Sequence, residues 1–401
     1  MDGDAFFVAV EVAKNPKLKG LPVVTGEERG IVSALSYEAK ALGIIRGMPI
    51  FKVKRHFPTV LILPGDYASY SKYSGQMFDI VRRYADDVEE YSIDECFANL
   101  TGLDKPLKMT YRQIAEKIKS EINIELGLSI SIGLAPTKVL AKVASKWQKP
   151  NGFTEITQDG AMDFLVKTPI EKIWGIGRRT SEFFKGKGML SAGDFAKKDI
   201  EWVTENLSKP YQVIWHELQG TAVMTVDPNP KDSFSSVQKT RTFHPPTNDK
   251  TFLLSQFSKN TEEACRKARY YKLVPKKISF FLKTQDFQYH NFEIVLTTPT
   301  NTPETLISLV CEHFGKIHAR DVPYRTTGIT LHDLVPESQK QMDLFGSTEV
   351  SNKFEIIHKQ IDSLEEKFGK RLIYLGSTSE SKKQKLKGTD ADDLDRDLLF
   401  M

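Results

Sequence analysis

A polar, proline-punctuated segment divides this chain, and the pattern that follows the segment constrains the fold most. The segment reads Asp227-Pro228-Asn229-Pro230-Lys231-Asp232, a composition typical of a linker. Beyond it, the hydrophobic periodicity predicts the order β-α-β-β-α-β, which is ferredoxin-like. The predicted elements are strand 235–243, helix 250–272, strands 276–286 and 289–297, helix 303–316 and strand 323–333. We therefore expect a separate C-terminal domain of about a hundred residues.

The part before the linker alternates strand-like and helix-like segments, which predicts an α/β core with a mixed sheet. The predicted strands are 6–10, 21–24, 30–34, 59–63, 91–100 and 128–133. The predicted helices are 37–42, 67–84, 107–126 and 136–147, the last opening on a proline. Residues 165–230 have the pattern of small helices joined by glycine turns. The whole chain is expected to be an α/β multidomain protein with four regions: 1–164, 165–230, 231–336 and 337–401.

Composition excludes several classes of protein. A chain of 401 residues, 40% hydrophobic and 27% charged, is typical of a soluble protein with two to four domains. No apolar run approaches the ~20 residues of a membrane helix, and no secretory leader is evident, so we expect a cytoplasmic protein. The three cysteines have no CxxC spacing, which argues against both a disulfide framework and a zinc site.

Charge is distributed unevenly along the chain. Residues 1–100 hold 12 Lys and Arg against 14 Asp and Glu, a net charge of −2. Residues 233–336 hold 14 against 9, a net charge of +5. An acidic front followed by a basic module fits an enzyme that acts on nucleic acid, although ordinary scatter of surface charge can also give this asymmetry.

Two acidic stretches carry the candidate chemistry. Asp2-Gly3-Asp4-Ala5-Phe6-Phe7 opens the chain, and Tyr91-Ser92-Ile93-Asp94-Glu95 lies near residue 90. Carboxylate oxygens are preferred ligands of Mg²⁺, and distant acidic segments that converge could hold a two-metal site for phosphoryl transfer. Because neighbours on a flat strand point to opposite faces, Asp94 and Glu95 can share a site only if a tight turn or bulge intervenes.

Five motifs together resemble one family. DGDAFF followed by VAVE, then SYEAKALGIIRGMPIF, YSIDE and KVLAKVASKWQKPNG, is similar in order and spacing to the Y-family of translesion DNA polymerases, over about residues 1–345. DGDAFF resembles the DinB branch, whereas EAKALG and YSIDE resemble the UmuC branch. The resemblance implies a right-hand polymerase that copies a DNA template past lesions and does not proofread. Palm and fingers would occupy 1–164, a helical thumb 165–230 and a little finger 231–336.

The resemblance also implies residue roles. Asp2, Asp94 and Glu95 would hold two Mg²⁺ ions, with the carbonyl of Gly3 completing the ligands. Phe7 would be the steric gate that excludes a 2′-hydroxyl. Phe6 stands beside it among the nucleotide-binding candidates, although a place in the core is the favoured interpretation. The triphosphate of the incoming dNTP would contact Tyr37, Lys40 and Lys149.

The chain departs from the family pattern at two positions. Lys40 stands where many relatives carry arginine, which keeps the charge but loses the planar bidentate fork. Asp2 has one residue before it, whereas in the family this aspartate ends a strand that begins several residues earlier. A ligand at a frayed terminus is poorly held. The alternative interpretation is therefore a catalytically impaired scaffold that binds DNA and a clamp.

Two basic features of the sequence suggest contacts with phosphate. Four lysines are spaced along one helix face, at positions 138, 142, 146 and 149. For the three lysines other than Lys149, a solvated stripe is an equally open interpretation. Gly175, Gly177 and Arg178 lie in a segment that resembles a helix-hairpin-helix, in which amides at a helix start bind the DNA backbone. A glycine turn that only joins two helices is the alternative.

The C-terminal half suggests two partners. Lys239 and Arg241 lie on a predicted strand of the little-finger-like domain and would contact primer-template DNA. Gln341, Leu344 and Phe345 lie in a polar connector and resemble the anchors of a bacterial sliding-clamp peptide. Residues 337–401 otherwise predict one amphipathic helix over 350–368 and a polar tail. We expect a monomer with no membrane partner.

A nucleotide cyclase with a similar two-metal site is a further alternative. The hairpin, the C-terminal domain and Phe7 argue against it, because a cyclase needs no grip on DNA and acts on ribonucleotides.

Overall fold

The computed structural model describes residues 1–229, 234–339, 348–368 and 371–383, which belong to two compact units divided at residue 230. Within these ranges no helix is both long and apolar enough to cross a membrane. The thiols of Cys96 and Cys265 are buried and free.

The first unit contains a five-stranded sheet with a smaller three-stranded sheet. Its strands are β1 (Asp2–Gly3), β2 (Val23–Thr25), β3 (Ala34–Leu35), β4 (Leu61–Leu63), β5 (Val88–Ser92), β6 (Glu95–Ala98), β7 (Ile130–Leu134) and β8 (Phe153–Glu155). The large sheet has the order β5-β6-β1-β7-β8, and the small one has the order β3-β2-β4. Consequently the very short β1 lies at the centre of the large sheet.

Helices cover the large sheet and then continue as a helical region. They are α1 (Phe6–Lys14), α2 (Tyr37–Ala41), α3 (Ile50–His56), α4 (Tyr67–Arg82), α5 (Asp104–Leu107), α6 (Tyr111–Leu126), α7 (Lys138–Trp147), α8 (Ala161–Leu165), α9 (Arg178–Gly186), α10 (Ala192–Ala196), α11 (Ile200–Asn206) and α12 (Lys209–Leu218). Apolar faces of α4 and α6 pack into one core that includes Tyr70, Phe78 and Ile118. The predicted small helices of 165–230 are confirmed.

Four sequence predictions in this unit need correction. The predicted strand 6–10 is wrong: it is the start of α1, whose N-cap is the left-handed Ala5 (φ 49°), and a short apolar run does not distinguish a strand from a buried helix. The predicted strand 91–100 is a hairpin of β5 and β6. Of 30–34, only Ala34 joins a strand. The predicted helix 107–126 is split, since Lys108 is left-handed (φ 50°) and a Thr110–Gln113 capping box starts α6.

Helix α7 is confirmed but starts two residues later than Pro136, after the N-cap Thr137. It packs directly on β7. A Cβ atom at Gly133 would lie 2.1 Å from the Ala141 carbonyl oxygen, so only glycine allows this approach. The backbone of α7 is therefore held close to the centre of the sheet.

The second unit confirms the predicted element order. Its elements are β9 (Ser236–Thr247), α13 (Lys250–Tyr270), β10 (Leu273–Thr284), β11 (Tyr289–Val295), α14 (Pro303–His313), β12 (Tyr324–Pro336), α15 (Thr348–Phe368) and α16 (Ser379–Lys383). The antiparallel sheet has the order β11-β10-β12-β9, so β9 is an edge strand. Helix α15 is fixed to α13 by ion pairs such as Arg269 with Asp362 at 2.7 Å.

Candidate active site

The central position of β1 brings the two acidic stretches together. In the antiparallel pairs, Asp2 lies opposite Glu95 of β6 and opposite Ser131 of β7. The Gly3 amide donates a hydrogen bond of 2.8 Å to the Asp94 carbonyl. The terminal amino group of Met1 donates to the Cys96 carbonyl at 2.9 Å, and Asp2 is only 8% exposed. The N-terminal carboxylate is thus held by sheet bonds on both sides.

A hairpin turn solves the geometric problem of the adjacent acids. Strands β5 and β6 meet at Ile93 and Asp94, with a register irregularity between Glu90 and Ser92. The turn required for both carboxylates to reach one place is therefore confirmed. The Ser92 hydroxyl donates to Asp94 Oδ1 at 2.7 Å and so orients that carboxylate.

Burial makes the charges of this cluster unfavourable. Desolvation raises the pKa of Asp2, and a hydrogen bond with Glu95 raises it further, while Lys149 opposes both effects. Desolvation also raises the pKa of Asp94; the Ser92 hydrogen bond lowers it and the charge of Asp2 raises it again. Such a cluster is expected where function, rather than stability, selects the residues.

Two lysines of the predicted stripe neutralise different carboxylates of the cluster. Lys149 Nζ contacts Asp2 Oδ1 and lies 3.4 Å from Asp4 Oδ1. Lys142 Nζ lies 2.9 Å from Glu95 Oε2, and Lys142 is only 8% exposed. Lys138 pairs with Glu89 at 2.6 Å, whereas Lys146 is exposed. The sequence singled out Lys149 and left Lys142 undecided, because helical spacing alone cannot show which lysine meets a carboxylate.

Asp4 was also missed as a site residue. It is 3% exposed and accepts hydrogen bonds from the Ser129 and Ser131 hydroxyls, both at 2.8 Å, and from the Asn151 amide at 2.7 Å. These bonds fix the loop that carries Lys149 against β1. The alternation of Ser129 and Ser131 on a predicted strand was the available signal.

Helix α2 presents the next two candidates. The Ser36 hydroxyl caps this helix by accepting from the Ala39 amide at 3.1 Å. Burial, the charges of Asp4 and Asp2 and a hydrogen bond with Asp4 together raise the pKa of Tyr37 to about 12. Lys40 is exposed, with Nζ 6.0 Å from the centroid of the Tyr37 ring.

The two phenylalanines have different environments on α1. Phe6 is 4% exposed and belongs to the core. Phe7 is half-buried, stacks on Tyr70 with ring centroids 4.4 Å apart, and meets the edge of Tyr67 at 5.7 Å. The Phe7 ring is therefore supported from behind and cannot move aside freely.

The donor set suits a hard divalent cation, since it consists of carboxylate oxygens and the Gly3 carbonyl. As the side chains stand, Asp94 bonds Ser92 while Asp2 and Glu95 bond lysines. In the described part of the chain, no three acidic, histidine or cysteine side chains are arranged to hold one ion together. These side chains would therefore have to move before they could hold an ion. Of the two neutralising lysines, Lys149 is the more exposed.

The hairpin candidates lie at the start of α9. Gly175 has φ +87°, and a Cβ atom there would lie 2.7 Å from Ile214 Cδ1. Gly177 is the N-cap of α9 and makes no side-chain capping bond, and the Arg178 side chain is 93% exposed. A Cβ atom at Gly177 would meet no heavy atom within 4 Å, so the space beside this helix start is open.

The candidates of the second unit are placed less favourably. Lys239 and Arg241 are half-buried on β9 and alternate with the exposed Gln238, Thr240 and Thr242. They share the face of the buried Val237 and Phe243. Gln341, Leu344 and Phe345 lie outside the described residues.

Comparisons with known proteins agree on one family. Residues 1–146 match the impB/mucB/samB family, and residues 235–344 match the C-terminal domain of that family. DNA polymerase IV 1 of Bacillus subtilis is 33% identical over 395 residues, which cover 97% of this chain and 94% of the relative. DNA polymerase IV of Caulobacter vibrioides is 28% identical and covers 94% and 92%.

Solved structures agree with this assignment. A chimera of the Y-family DNA polymerases Dbh and Dpo4 superposes with a TM-score of 0.70 at 25% identity, covering 84% of this chain and 98% of the chimera. DinB from Sulfolobus solfataricus covers the same shares, with a TM-score of 0.52 at 25% identity.

Proposed function

Because this chain belongs to the impB/mucB/samB family of DinB-like Y-family DNA polymerases and is a DNA-directed DNA polymerase, we propose that it extends primers past damaged template bases by two-metal phosphoryl transfer. The observation that carries the proposal is the convergence of Asp2, Asp94 and Glu95 at the centre of one sheet. Phosphoryl transfer depends mainly on position and charge, which such a site supplies.

Asp2, Asp94, Glu95 and the Gly3 carbonyl would hold two Mg²⁺ ions. When bound, the ions stabilise the attacking 3′-oxygen of the primer and the oxygen that leaves with pyrophosphate. The protein supports this through β1, whose bonds to β6 and β7 hold the backbone that carries the carboxylates before substrate arrives. Preorganisation of this kind reduces the reorganisation needed during the reaction.

The incoming dNTP would bind between α1 and α2. Lys149 is paired with Asp2, and its side chain is 23% exposed. It would leave Asp2 and form an ion pair with the triphosphate, because the phosphate oxygens offer an alternative anion. Tyr37 stays neutral near pH 8 and would donate a hydrogen bond to a phosphate oxygen. Lys40, on the same helix, would add a second charge.

Phe7 would select the sugar. A deoxyribose fits over its ring, whereas a 2′-hydroxyl meets a side chain already packed on Tyr70 and Tyr67. Phe6 is buried in the core, so we give it only the indirect role of supporting Phe7.

Primer-template DNA would be held without regard to sequence. The α9 start, with Gly175, Gly177 and Arg178, would donate amides and a charge to the backbone. Lys239 and Arg241 would act similarly from β9 by extending around the sheet edge. We also propose, on sequence resemblance alone, that Gln341, Leu344 and Phe345 bind a sliding clamp. We further propose that the protein is a cytoplasmic monomer and does not proofread.

The scaffold alternative rests on the shortness of β1. Against it stand the bond from the Met1 amino group to Cys96 and the low exposure of Asp2. Primer extension on an undamaged template with Mg²⁺ and four dNTPs distinguishes an active polymerase from a catalytically impaired scaffold. We expect extension by the wild type and by Asp159→Ala, an exposed control, and none by Asp94→Ala. A folded, DNA-binding wild type that does not extend would favour the scaffold.

A further inference from the structure

Lys142 is an unusual lysine because it is buried beside the reaction centre. It lies in the middle of α7, is 8% exposed, and places Nζ 2.9 Å from Glu95 Oε2. Burying an ammonium group is unfavourable unless it is paired and otherwise compensated. The surroundings of Lys142 supply this compensation.

Three aromatic rings surround the ammonium group, and we call them with Lys142 the aromatic cage. Nζ lies 3.9 Å from the ring centroid of Tyr91, 4.9 Å from that of Trp174 and 5.9 Å from that of Phe97. Each ring face attracts a cation, most strongly when water is excluded. The aromatic cage is thus a second set of partners that Lys142 keeps whether or not Glu95 moves.

The rings are fixed by their own contacts. Tyr91 and Trp174 stand nearly perpendicular (86°) with centroids 5.2 Å apart, and the Trp174 indole N–H donates to the Tyr91 hydroxyl at 2.8 Å. The α7 backbone is pressed on β7 at Gly133. Both the backbone and the ammonium group of Lys142 are therefore held in place, whereas the ammonium group of a solvated lysine is not.

We propose that Lys142 is a positioning residue: held by the aromatic cage, it keeps the Glu95 carboxylate in one orientation throughout nucleotide addition. The inference rests on the proposed function of Glu95. Lys142 contacts Oε2 of Glu95, and the same carboxylate shares a hydrogen bond with Asp2. Within the described part of the chain no aromatic ring lies over the Lys149 ammonium group, and we propose that Lys149 exchanges its carboxylates for phosphate, so the two lysines would act differently on the same cluster.

The test uses three variants of the full chain. Lys142→Met keeps the length of the side chain and removes the charge, and Lys142→Arg keeps the charge. Lys146→Met is the matched control, since Lys146 is exposed on the same helix. The rate of single-nucleotide insertion is measured per active enzyme–DNA complex with enzyme in excess. We expect Lys142→Met to lower this rate about 30-fold and to change the half-saturating dNTP concentration less than about 3-fold.

The controls fix the interpretation. The insertion rate of Lys142→Arg should stay within about 5-fold of the wild-type rate, and the rate of Lys146→Met should equal the wild-type rate. A normalised rate for Lys142→Met within about 3-fold of wild type would overturn the proposal, because a residue that only supports the fold lowers the active fraction and not the rate of each active complex. If Lys142→Met does not fold, Trp174→Phe, which loses the bond to Tyr91, should lower the rate about 5-fold; an unchanged rate there overturns the proposal as well.

A measurement on the metal-free protein separates this proposal from the proposed function. Thermal unfolding is compared for wild type, Lys142→Met, Glu95→Gln and the double variant. The single variant Lys142→Met should lower the midpoint by several degrees, and the double variant should recover at least about half of this loss. Additive losses would show that Lys142 and Glu95 are not coupled. Coupling in a wild type that does not extend primers would refute the polymerase function and leave the pair established.

Discussion

The carboxylate cluster has two sides that differ in how they treat a positive charge. On the caged side, Lys142 pairs with Glu95, and its side chain is 9% exposed among three rings. On the open side, Lys149 pairs with Asp2, and its side chain is 23% exposed, with Tyr37 and Lys40 nearby. Both lysines come from α7 and the loop that follows it.

The difference shows that one type of ion pair can have two uses. A cation held by additional partners cannot leave its carboxylate, so it fixes an orientation. A cation that is held only by carboxylates, as Lys149 is by Asp2 and Asp4 among the described residues, can move to a more highly charged anion when one arrives. We infer that the caged side sets the geometry of the site and that the open side responds to substrate. The four predictions below test this division.

The largest effect is expected for Phe7→Ala, which opens the substrate side. Removing a ring supported by Tyr70 makes room for a 2′-hydroxyl. Discrimination between dCTP and CTP, measured as the ratio of kcat/KM values, should fall about 100-fold. Phe51→Ala, at an exposed phenylalanine of α3, is the control and should preserve the discrimination.

Lys149→Met should weaken nucleotide use while leaving the fold intact. We expect kcat/KM for dNTP to fall about 30-fold, mainly through KM, because a charge for the triphosphate is lost. Lys149→Arg should keep most activity. An unchanged KM would contradict the exchange of Lys149 between Asp2 and phosphate.

Tyr37→Phe is expected to have a smaller and pH-independent effect. Since the pKa of Tyr37 is raised to about 12 by burial and the nearby carboxylates, its hydroxyl stays protonated below about pH 11. The kcat/KM of the variant should therefore be about 3-fold lower than that of the wild type, and this factor should be the same at pH 7, 8, 9 and 10. A ratio that changes across this range would mean that Tyr37 titrates in the working enzyme.

Asp94→Asn should stabilise the metal-free protein slightly, although it abolishes activity. Because burial raises the pKa of Asp94 in the fold, ionising this group disfavours the native state, and an amide removes that cost. In EDTA near pH 7 the melting temperature should rise by about 2 °C. The gain should shrink as pH falls through the folded pKa and vanish below the usual value of 3.8. A variant less stable than wild type at pH 7 would contradict this view of the cluster.

The sequence predicted the architecture well where the periodicity was long and regular. The six elements of the C-terminal domain appear in the predicted order, and α4 and α7 lie close to their predicted bounds. Short apolar segments were less informative. Residues 6–10 form a helix because β1 ends after Gly3, and nothing in five apolar residues distinguishes the two structures.

The site was predictable in its composition and not in its electrostatics. The acidic stretches predicted a site of Asp2, Asp94 and Glu95, which the fold brings together, and the need for a turn beside Asp94 followed from strand geometry. Lys142 and Asp4 could not be ranked, because their importance comes from partners distant in sequence: Trp174 and Tyr91 for one, Ser129 and Ser131 for the other. Such contacts exist only after the sheet has formed.

The most direct test of the account is single-nucleotide insertion by Asp2→Cys in Mg²⁺ and in Mn²⁺, with Asp2→Ala as the control. A thiolate is a poor ligand for Mg²⁺ and a better one for Mn²⁺. If Asp2 holds a catalytic ion, insertion in Mg²⁺ should fall at least about 1000-fold, and Mn²⁺ should restore Asp2→Cys at least about 10-fold more than Asp2→Ala. An Asp2→Cys enzyme that keeps more than about a tenth of the wild-type rate in Mg²⁺ would contradict the placement of the reaction at this cluster.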